Sequence, residues 1–195
     1  MRSPGLLIIL LALTSCSSAP PVPTDRFYKL STPQIVNQDQ VTDDIIYVGP
    51  FIAEGLYNER ALLFTGDSGD TELQQHHYHF WVTSPPRLLQ SQLVSYLRAI
   101  NASSMITTEL GTGEKISIFG RVKAFEKVKF DDQTSANVVL EVRVQVKDKA
   151  TPVLLKEYSV LEKINGDTVP DAVAAFDRAV MKIYSDFLDE LQSSI

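Results

Sequence analysis

Alternating apolar and polar residues in the second half of the chain predict three long β-strands. The first run occupies residues 116–130, the second 138–146 and the third 153–164, with short polar segments between them. A period of two is typical of half-buried strands, because successive side chains point to opposite faces. Short connections between such strands predict an antiparallel meander. One face of the first strand is predicted to carry Ile116, Ile118, Gly120, Val122, Ala124, Glu126, Val128 and Phe130.

Apolar residues at helical spacing predict two helices. Ser84, Pro85 and Pro86 open the first, since proline is favoured in a first turn, where its missing N–H is not needed. A second helix is predicted from about Pro170 to Gln192, where apolar residues recur three and four positions apart. The apolar stripes are predicted to be Leu89, Leu93, Leu97 and Ile100 in the first helix and Val173, Phe176, Val180, Ile183, Phe187 and Leu191 in the second.

The first half of the chain predicts shorter strands. Pro50 interrupts one of them, and a proline at such a position is typical of an edge strand or a bulge. Together the elements predict an α+β fold, a mainly antiparallel sheet with two helices on one face. The C-terminal helix is expected to close a single domain over residues 26–195. The shorter strands are expected at residues 26–31, 45–53, 60–66, 73–83 and near 104–110, with a turn at 66–70.

The N-terminus has the pattern of an export signal. Arg2 is followed by an unbroken apolar run from Leu6 to Leu13. Eight residues are far fewer than the ~20 that a membrane-spanning helix needs, so the run is predicted to be the apolar region of a signal peptide over residues 1–15. Residues 16–25 are rich in proline and small polar residues, which predicts an extended tether between the signal and the domain.

Cys16, the only cysteine of the chain, stands at the end of the sequence "LTSC". This sequence resembles the lipobox of bacterial lipoproteins, which implies cleavage between Ser15 and Cys16 and lipidation of Cys16 by diacylglycerol and an N-acyl chain. An ordinary secretory signal beside an unrelated cysteine is the alternative. Ser17 rather than aspartate follows the cysteine, which under the sorting rules of such lipoproteins implies export to the outer membrane.

Charge and cysteine content exclude several classes of function. The 195-residue chain has a formal net charge of −6, whereas nucleic-acid-binding proteins usually need a basic surface. A single cysteine excludes an intramolecular disulfide and a cysteine-rich metal site. We therefore expect no nucleic-acid partner and only one role for the thiol, as the lipid attachment site.

The three histidines of the chain, His76, His77 and His79, form the one cluster with metal-binding potential. On a strand, His77 and His79 share a face and His76 points to the other. A metal site needs a third ligand, and no second histidine or cysteine cluster supplies one. No nucleophile elbow or phosphate-binding loop is present. The prediction is a protein without a metal, a cofactor or catalytic residues, and a periplasmic hydrolase is the disfavoured enzymatic alternative.

Three short motifs follow one another between residues 28 and 86. The sequence resembles the ABC-type transport auxiliary lipoproteins, the paraquat-inducible protein C-like family associated with MCE-domain proteins. Two departures are present: "YNER" stands in place of the family's "YLDR", and "WVTSPP" has one extra residue before the prolines. The matching positions are Tyr28 and Leu30, then Val48, Gly49, Pro50, Tyr57 and Arg60, then Trp81, Pro85 and Pro86.

The resemblance implies a partner role rather than catalysis. Family members are encoded with an ABC permease, an ATPase and an MCE-domain protein, and are thought to help move lipids or other hydrophobic compounds between the inner and outer membranes. Some relatives form rings, so a homo-oligomer is compatible with the resemblance. A lipoprotein partner or assembly factor of an outer-membrane β-barrel protein is the alternative function.

Overall fold

The computed structural model describes residues 22–35, 39–65, 71–130 and 132–195. The α+β class and the closing C-terminal helix are confirmed, and the described residues form one nine-stranded sheet with two helices. The predicted turn at 66–70 lies outside the described residues. The strands are β1 (Arg26–Tyr28), β2 (Ile46–Val48), β3 (Ile52–Ala53), β4 (Ala61–Thr65), β5 (Leu73–Trp81), β6 (Ile106–Thr107), β7 (Ile116–Phe130), β8 (Gln133–Val146) and β9 (Leu154–Lys163). The helices are α1 (Pro85–Ala99) and α2 (Val169–Ser194), and a 3₁₀ turn spans Gly55–Asn58.

Strand β7 organises the sheet. On one side it pairs antiparallel with β8, and β8 pairs antiparallel with β9, as the predicted meander requires. On its other side β7 pairs in succession with β2, β3 and β4, all parallel. Strands β1 and β5 are also parallel to each other, as are β2 and β6. The sheet is therefore mixed rather than purely antiparallel. Strand β7 can pair parallel with β2, β3 and β4 because the chain passes through α1 before it reaches β7, and parallel pairs need such a crossover.

The strand predicted over residues 45–53 is broken at Gly49 and Pro50, as expected. Of the two alternatives, an edge strand or a bulge, the edge is wrong because β2 lies between β6 and β7. The register with β7 shifts by one residue across the break, from Val48–Ile118 to Ile52–Arg121, as in a bulge. Pro50 occupies the gap between β2 and β3, where it withholds no N–H from the sheet ladder.

A β-bulge in β7 changes the face on which its later residues lie. The register with β8 shifts between Val122 and Ala124, so Lys123 is an extra residue. A shift of one residue reverses the facing of every side chain that follows. The predicted alternation therefore holds up to Val122 and is wrong beyond it. Phe125 reaches the helix-covered core, whereas Glu126 lies on the opposite face.

Both helices pack on one face of the sheet, as expected. The predicted stripes are buried, although Val173 is only partly so. The hydroxyl of Tyr184 donates a 2.7 Å hydrogen bond to the carbonyl of Leu89, which joins α2 to α1. A capping box starts α2, because the side chains of Thr168 and Asp171 reciprocally satisfy backbone N–H groups.

Candidate functional site

Six of the motif residues, among them Val48, are buried and hold the scaffold together. Trp81 is 1% exposed, and its ring centroid lies 5.1 Å from that of Phe125 and 5.4 Å from that of Phe176. Such aromatic clusters supply large buried apolar area with a defined geometry. Leu30, Pro85 and Pro86 are also buried, and the two prolines occupy the first turn of α1.

Gly49, another of these residues, is required by a close approach to β7. A Cβ atom at this position would lie 2.5 Å from the ring of Phe119. The N–H of Gly49 donates a 2.8 Å hydrogen bond to the carbonyl of Ile118, which holds the backbone close to β7. The motif "VGP" therefore reflects packing at the end of β2.

Tyr57 anchors the 3₁₀ turn over a buried carboxylate. Glu126 is only 5% exposed and accepts a 2.6 Å hydrogen bond from Nδ2 of Asn137, while the hydroxyl of Tyr57 interacts with the same carboxylate. Burial raises the pKa of Glu126, and burial together with the carboxylate raises the pKa of Tyr57 to about 12. Oε2 of Glu126 has no hydrogen-bond partner within the described residues. This network explains a motif tyrosine without invoking a partner.

The sequence pattern did not predict the Tyr57–Glu126–Asn137 network, although one residue indicated it. Glu126 stands among apolar residues in the predicted core face of the strand. A carboxylate at such a position indicates either a bulge or a buried polar network, and the structure contains both.

Exposed residues in and between the positions of the second motif form a surface. Pro50 is exposed, Ile52 is 50% exposed and Leu56 is 38% exposed. Beside them lies a groove of about 690 Å³. We call Pro50, Ile52, Leu56 and Tyr57, with this groove, the 50–60 surface. The groove is lined by Glu54, Gly55, Leu56, Tyr57, Leu73, Arg121, Val122, Lys123 and Glu141.

Ion pairs frame the groove of the 50–60 surface. Nη1 of Arg121 lies 2.6 Å from Oε1 of Glu54, and Nζ of Lys123 lies 2.7 Å from Oε2 of Glu157. Exposed pairs of this kind contribute only ~0–1 kcal/mol to stability. In these pairs the positive and negative charges neutralise one another. The exposed apolar side chains are therefore the main feature of this surface that a partner could bind.

Two other motif residues, Tyr28 and Arg60, lie near the sheet edge formed by β1. Nε of Arg60 donates a 3.2 Å hydrogen bond to the carbonyl of Trp81, and its guanidinium carbon lies 5.2 Å from the ring centroid of Phe27. The hydroxyl of Tyr28 lies 2.9 Å from Nδ1 of His79. Both residues therefore tie β1 and β4 to β5.

The histidines do not alternate as the strand pattern predicted. The pairing of β4 with β5 jumps from Ala61–Phe80 to Leu63–Gln75, so residues 76–79 bulge out of the ladder with β4. The rings of His76 and His79 approach to 5.8 Å between centroids, while His77 is exposed. The expected facing of these side chains is wrong, because a bulge abolishes the period of two.

The structure gives the histidine cluster no metal-binding geometry. Burial, assisted by the Lys127 ammonium, lowers the pKa of His76 to about 4, so this imidazole is neutral at physiological pH. Within the described ranges, no group of three or more histidine, cysteine, aspartate or glutamate side chains is arranged to hold a metal ion.

The lipidation residues lie elsewhere. Ser15 and Cys16 fall outside the described residues, so their assignment stays a prediction. In the part of the chain that the structure does describe, no helix is both long enough and apolar enough to cross a membrane.

Comparison with known families decides the classification. The family model for the ABC-type transport auxiliary lipoprotein component matches residues 28–186, which include all three motifs. The chain belongs to this family. The resemblance predicted from the motifs is thereby confirmed, and with it the class of ABC transport auxiliary lipoproteins. No curated protein shows significant similarity to the chain.

Solved structures share the fold of this family member at low sequence identity. Protein XCC0632 from Xanthomonas campestris, of the family model DUF330, has 13% identity and a TM-score of 0.76, over 87% of this chain and 96% of that one. The hypothetical protein CT253 from Chlamydia trachomatis has 5% identity and a TM-score of 0.52, over 77% of this chain and 97% of that one. At such identities the likeness concerns the fold alone.

Proposed function

We propose that the protein is a non-enzymatic docking subunit of an ABC transporter–MCE system. Lipidated Cys16 anchors it to the outer membrane, and the domain faces the periplasm. There it receives an MCE-domain protein, whose ABC permease and ATPase drive lipids or other hydrophobic compounds between the two membranes. The protein contributes position and a binding surface rather than a reaction.

The family match over residues 28–186 is the observation that carries this proposal, because it is a match to lipoproteins that assist ABC-type transport. The sequence "LTSC" supports the anchor, since lipidation needs a thiol as the nucleophile toward the lipid donor. Two or more acyl chains give stable anchoring, whereas a single chain binds only reversibly.

The 50–60 surface is the candidate contact for the MCE-domain protein. Protein interfaces combine an apolar centre with a polar rim. Ile52 and Leu56 supply the apolar centre, and the Arg121–Glu54 ion pair supplies part of the rim. Packing accounts for the buried motif residues. The exposed side chains of Ile52 and Leu56 beside them are therefore the ones available to a partner.

Affinity capture of the full-length acylated protein from membranes tests the proposal. We expect an MCE-domain protein to be recovered. Ile52→Asp and Leu56→Asp should each lower its recovery about tenfold, the effect of losing a contact worth about 1.4 kcal/mol. Leu110→Asp is the matched control, because Leu110 is 70% exposed in the loop after β6 and does not line the groove of the 50–60 surface.

Two outcomes would contradict the proposal. Recovery of a single β-barrel protein without an MCE-domain protein would favour the alternative role in barrel assembly. Equal recovery with Leu56→Asp and Leu110→Asp would show that the 50–60 surface is not the binding site.

A separate experiment tests the location. Ser17→Asp should retain the protein at the inner membrane, and an unchanged distribution on a density gradient would contradict the outer-membrane assignment.

A further inference from the structure

A second exposed apolar region lies along the edge of the sheet formed by β1 and β5. Phe27 is 54% exposed, Tyr78 is 45% exposed and Val82 is 46% exposed. Phe27 pairs with Phe80 across the two strands, with 5.8 Å between ring centroids. Tyr78 precedes His79, the partner of Arg26 in β1, and the N–H of Val82 donates a 2.8 Å hydrogen bond to the carbonyl of Tyr28. We call Phe27, Tyr78, Phe80 and Val82 the β1–β5 edge. Clustered exposure of large apolar side chains usually marks an interaction site.

The backbone keeps Tyr78 on the surface at a cost. Its φ of 63° lies in the left-handed region that non-glycine residues seldom adopt. This conformation belongs to the bulge at residues 76–79, which displaces Tyr78 from the regular ladder of β5. Strained residues persist where the surrounding structure holds them, and they are concentrated at functional sites.

The position of the β1–β5 edge in the chain indicates what covers it. Arg26, the first residue of β1, follows Cys16 by only ten residues. Even a fully extended chain of that length reaches no more than about 35 Å. A lipid on Cys16 therefore holds this edge, where the chain enters the domain, within about 35 Å of the membrane surface.

The charges around the β1–β5 edge suit a phospholipid surface. Arg26, Lys29 and Arg60 are exposed there, and two acids, Asp25 and Glu59, accompany them. This local balance differs from the net charge of −6 of the whole chain. Aromatic rings flanked by basic side chains are typical of groups that lie at the level of lipid headgroups.

We propose that the β1–β5 edge rests on the phospholipid bilayer that holds the Cys16 lipid. The rings of Phe27 and Tyr78 and the side chain of Val82 enter the headgroup region, and this contact orients the domain on the membrane. The inference rests on the proposed lipid anchor. It assigns the contact at the β1–β5 edge to the lipid surface rather than to a protein.

Depth-dependent fluorescence quenching tests this contact. Tyr78→Cys and Val82→Cys, each labelled with an environment-sensitive fluorophore, are introduced into full-length, acylated protein in phosphatidylethanolamine–phosphatidylcholine vesicles. Leu110→Cys, at the end of the sheet remote from β1, is the matched control. Interfacial groups lie about 5–10 Å deep, so a quencher attached to the lipid headgroup region should reduce the fluorescence from positions 78 and 82 about twofold or more. The control should be unchanged.

The possible outcomes separate this inference from the proposed function. If the protein floats with vesicles but positions 78 and 82 stay as bright as position 110, the edge contact is wrong while the anchor stands. Quenching that appears only after a partner protein is added would also overturn the inference. If the protein does not float with vesicles at all, both the anchor and the edge contact fail. Circular dichroism of each variant verifies that the fold is retained.

Discussion

Replacement of Gly49 by alanine tests whether the motif "VGP" serves packing rather than a partner. The backbone at Gly49 lies outside the left-handed region, so alanine can adopt it. The new Cβ, however, would lie 2.5 Å from one carbon of the Phe119 ring and 2.6 Å from another. To yield, the ring has to move against Arg143, whose guanidinium carbon lies 4.8 Å from its centroid, or against Tyr47, which packs edge-on at 6.1 Å.

Overpacking of this kind costs about 1–3 kcal/mol. We therefore expect Gly49→Ala to lower the free energy of unfolding by that amount. Gly55→Ala is the matched comparison, because its φ of 55° imposes backbone strain while no atom of the described residues lies within 4 Å of the new Cβ. Its cost should be about 1–2 kcal/mol and should not depend on Phe119.

A double-mutant cycle with Phe119→Ala, measured by urea unfolding, separates the two mechanisms. In the Phe119→Ala background the steric part of the Gly49→Ala penalty should disappear, which gives a coupling energy of about 1 kcal/mol or more. The Gly55→Ala penalty should be unchanged in that background. Additive effects of Gly49→Ala and Phe119→Ala would refute the packing explanation of this motif.

Three further predictions concern ionisation and the core. The pKa of His76 falls from its ordinary value of 6.5 to about 4 on folding, so stability should be lost as pH falls through that interval, and His76→Gln should reduce this loss. The pKa of Glu126 is raised from 4.5, so its effect is opposite: stability falls as pH rises above 4.5, and Glu126→Gln should remove this decline. Trp81→Ala should cost about 3–5 kcal/mol, while Trp81→Phe should retain partner capture.

Urea unfolding at a series of pH values checks the two ionisation predictions. For Trp81, urea unfolding measures the stability of each variant, and affinity capture then measures partner binding by the folded variant. An unchanged pH profile in His76→Gln would show that this imidazole titrates normally in the folded protein. A decline with rising pH that persists in Glu126→Gln would assign that decline to another group. Loss of partner capture by a stable Trp81→Phe variant would contradict a purely structural role for Trp81.

Local periodicity predicted the elements well, because hydrophobic patterning is a local property of the chain. Strands β7 and β9 and both helices lie close to their expected bounds, whereas β8 begins at Gln133 rather than at residue 138. The parallel pairing of β7 with β2, β3 and β4 escaped prediction, since strand partners are chosen by tertiary packing rather than by spacing along the chain.

The errors within elements have a common cause in β-bulges. One extra residue at Lys123 moves Phe125 into the core and Glu126 to the other face. The bulge at residues 76–79 likewise brings His76 and His79 together. A single inserted residue reverses the face on which every later side chain of the strand lies, but it leaves the residue types of the strand typical of a β-strand. Only a residue that does not suit its predicted face, such as Glu126 in the core face, indicates the bulge in advance.

For the candidate site, the order of the motifs predicted the family but not the role of each residue. Gly49 and Trp81 belong to the scaffold, whereas Ile52 and Leu56, which lie between motif positions, are the exposed apolar residues. Burial depends on contacts such as that of Trp81 with Phe176, which are 95 residues apart in the chain. Such contacts are not readable from short motifs.

Site-specific photocrosslinking in intact cells tests the central claim most directly. A photoreactive amino acid at position 56, in the acylated full-length protein, should crosslink to an MCE-domain protein, and the same probe at position 110 should not. Crosslinking from position 56 to a β-barrel protein alone, or equal crosslinking to the MCE-domain protein from both positions, would contradict the account of a docking subunit that uses the 50–60 surface.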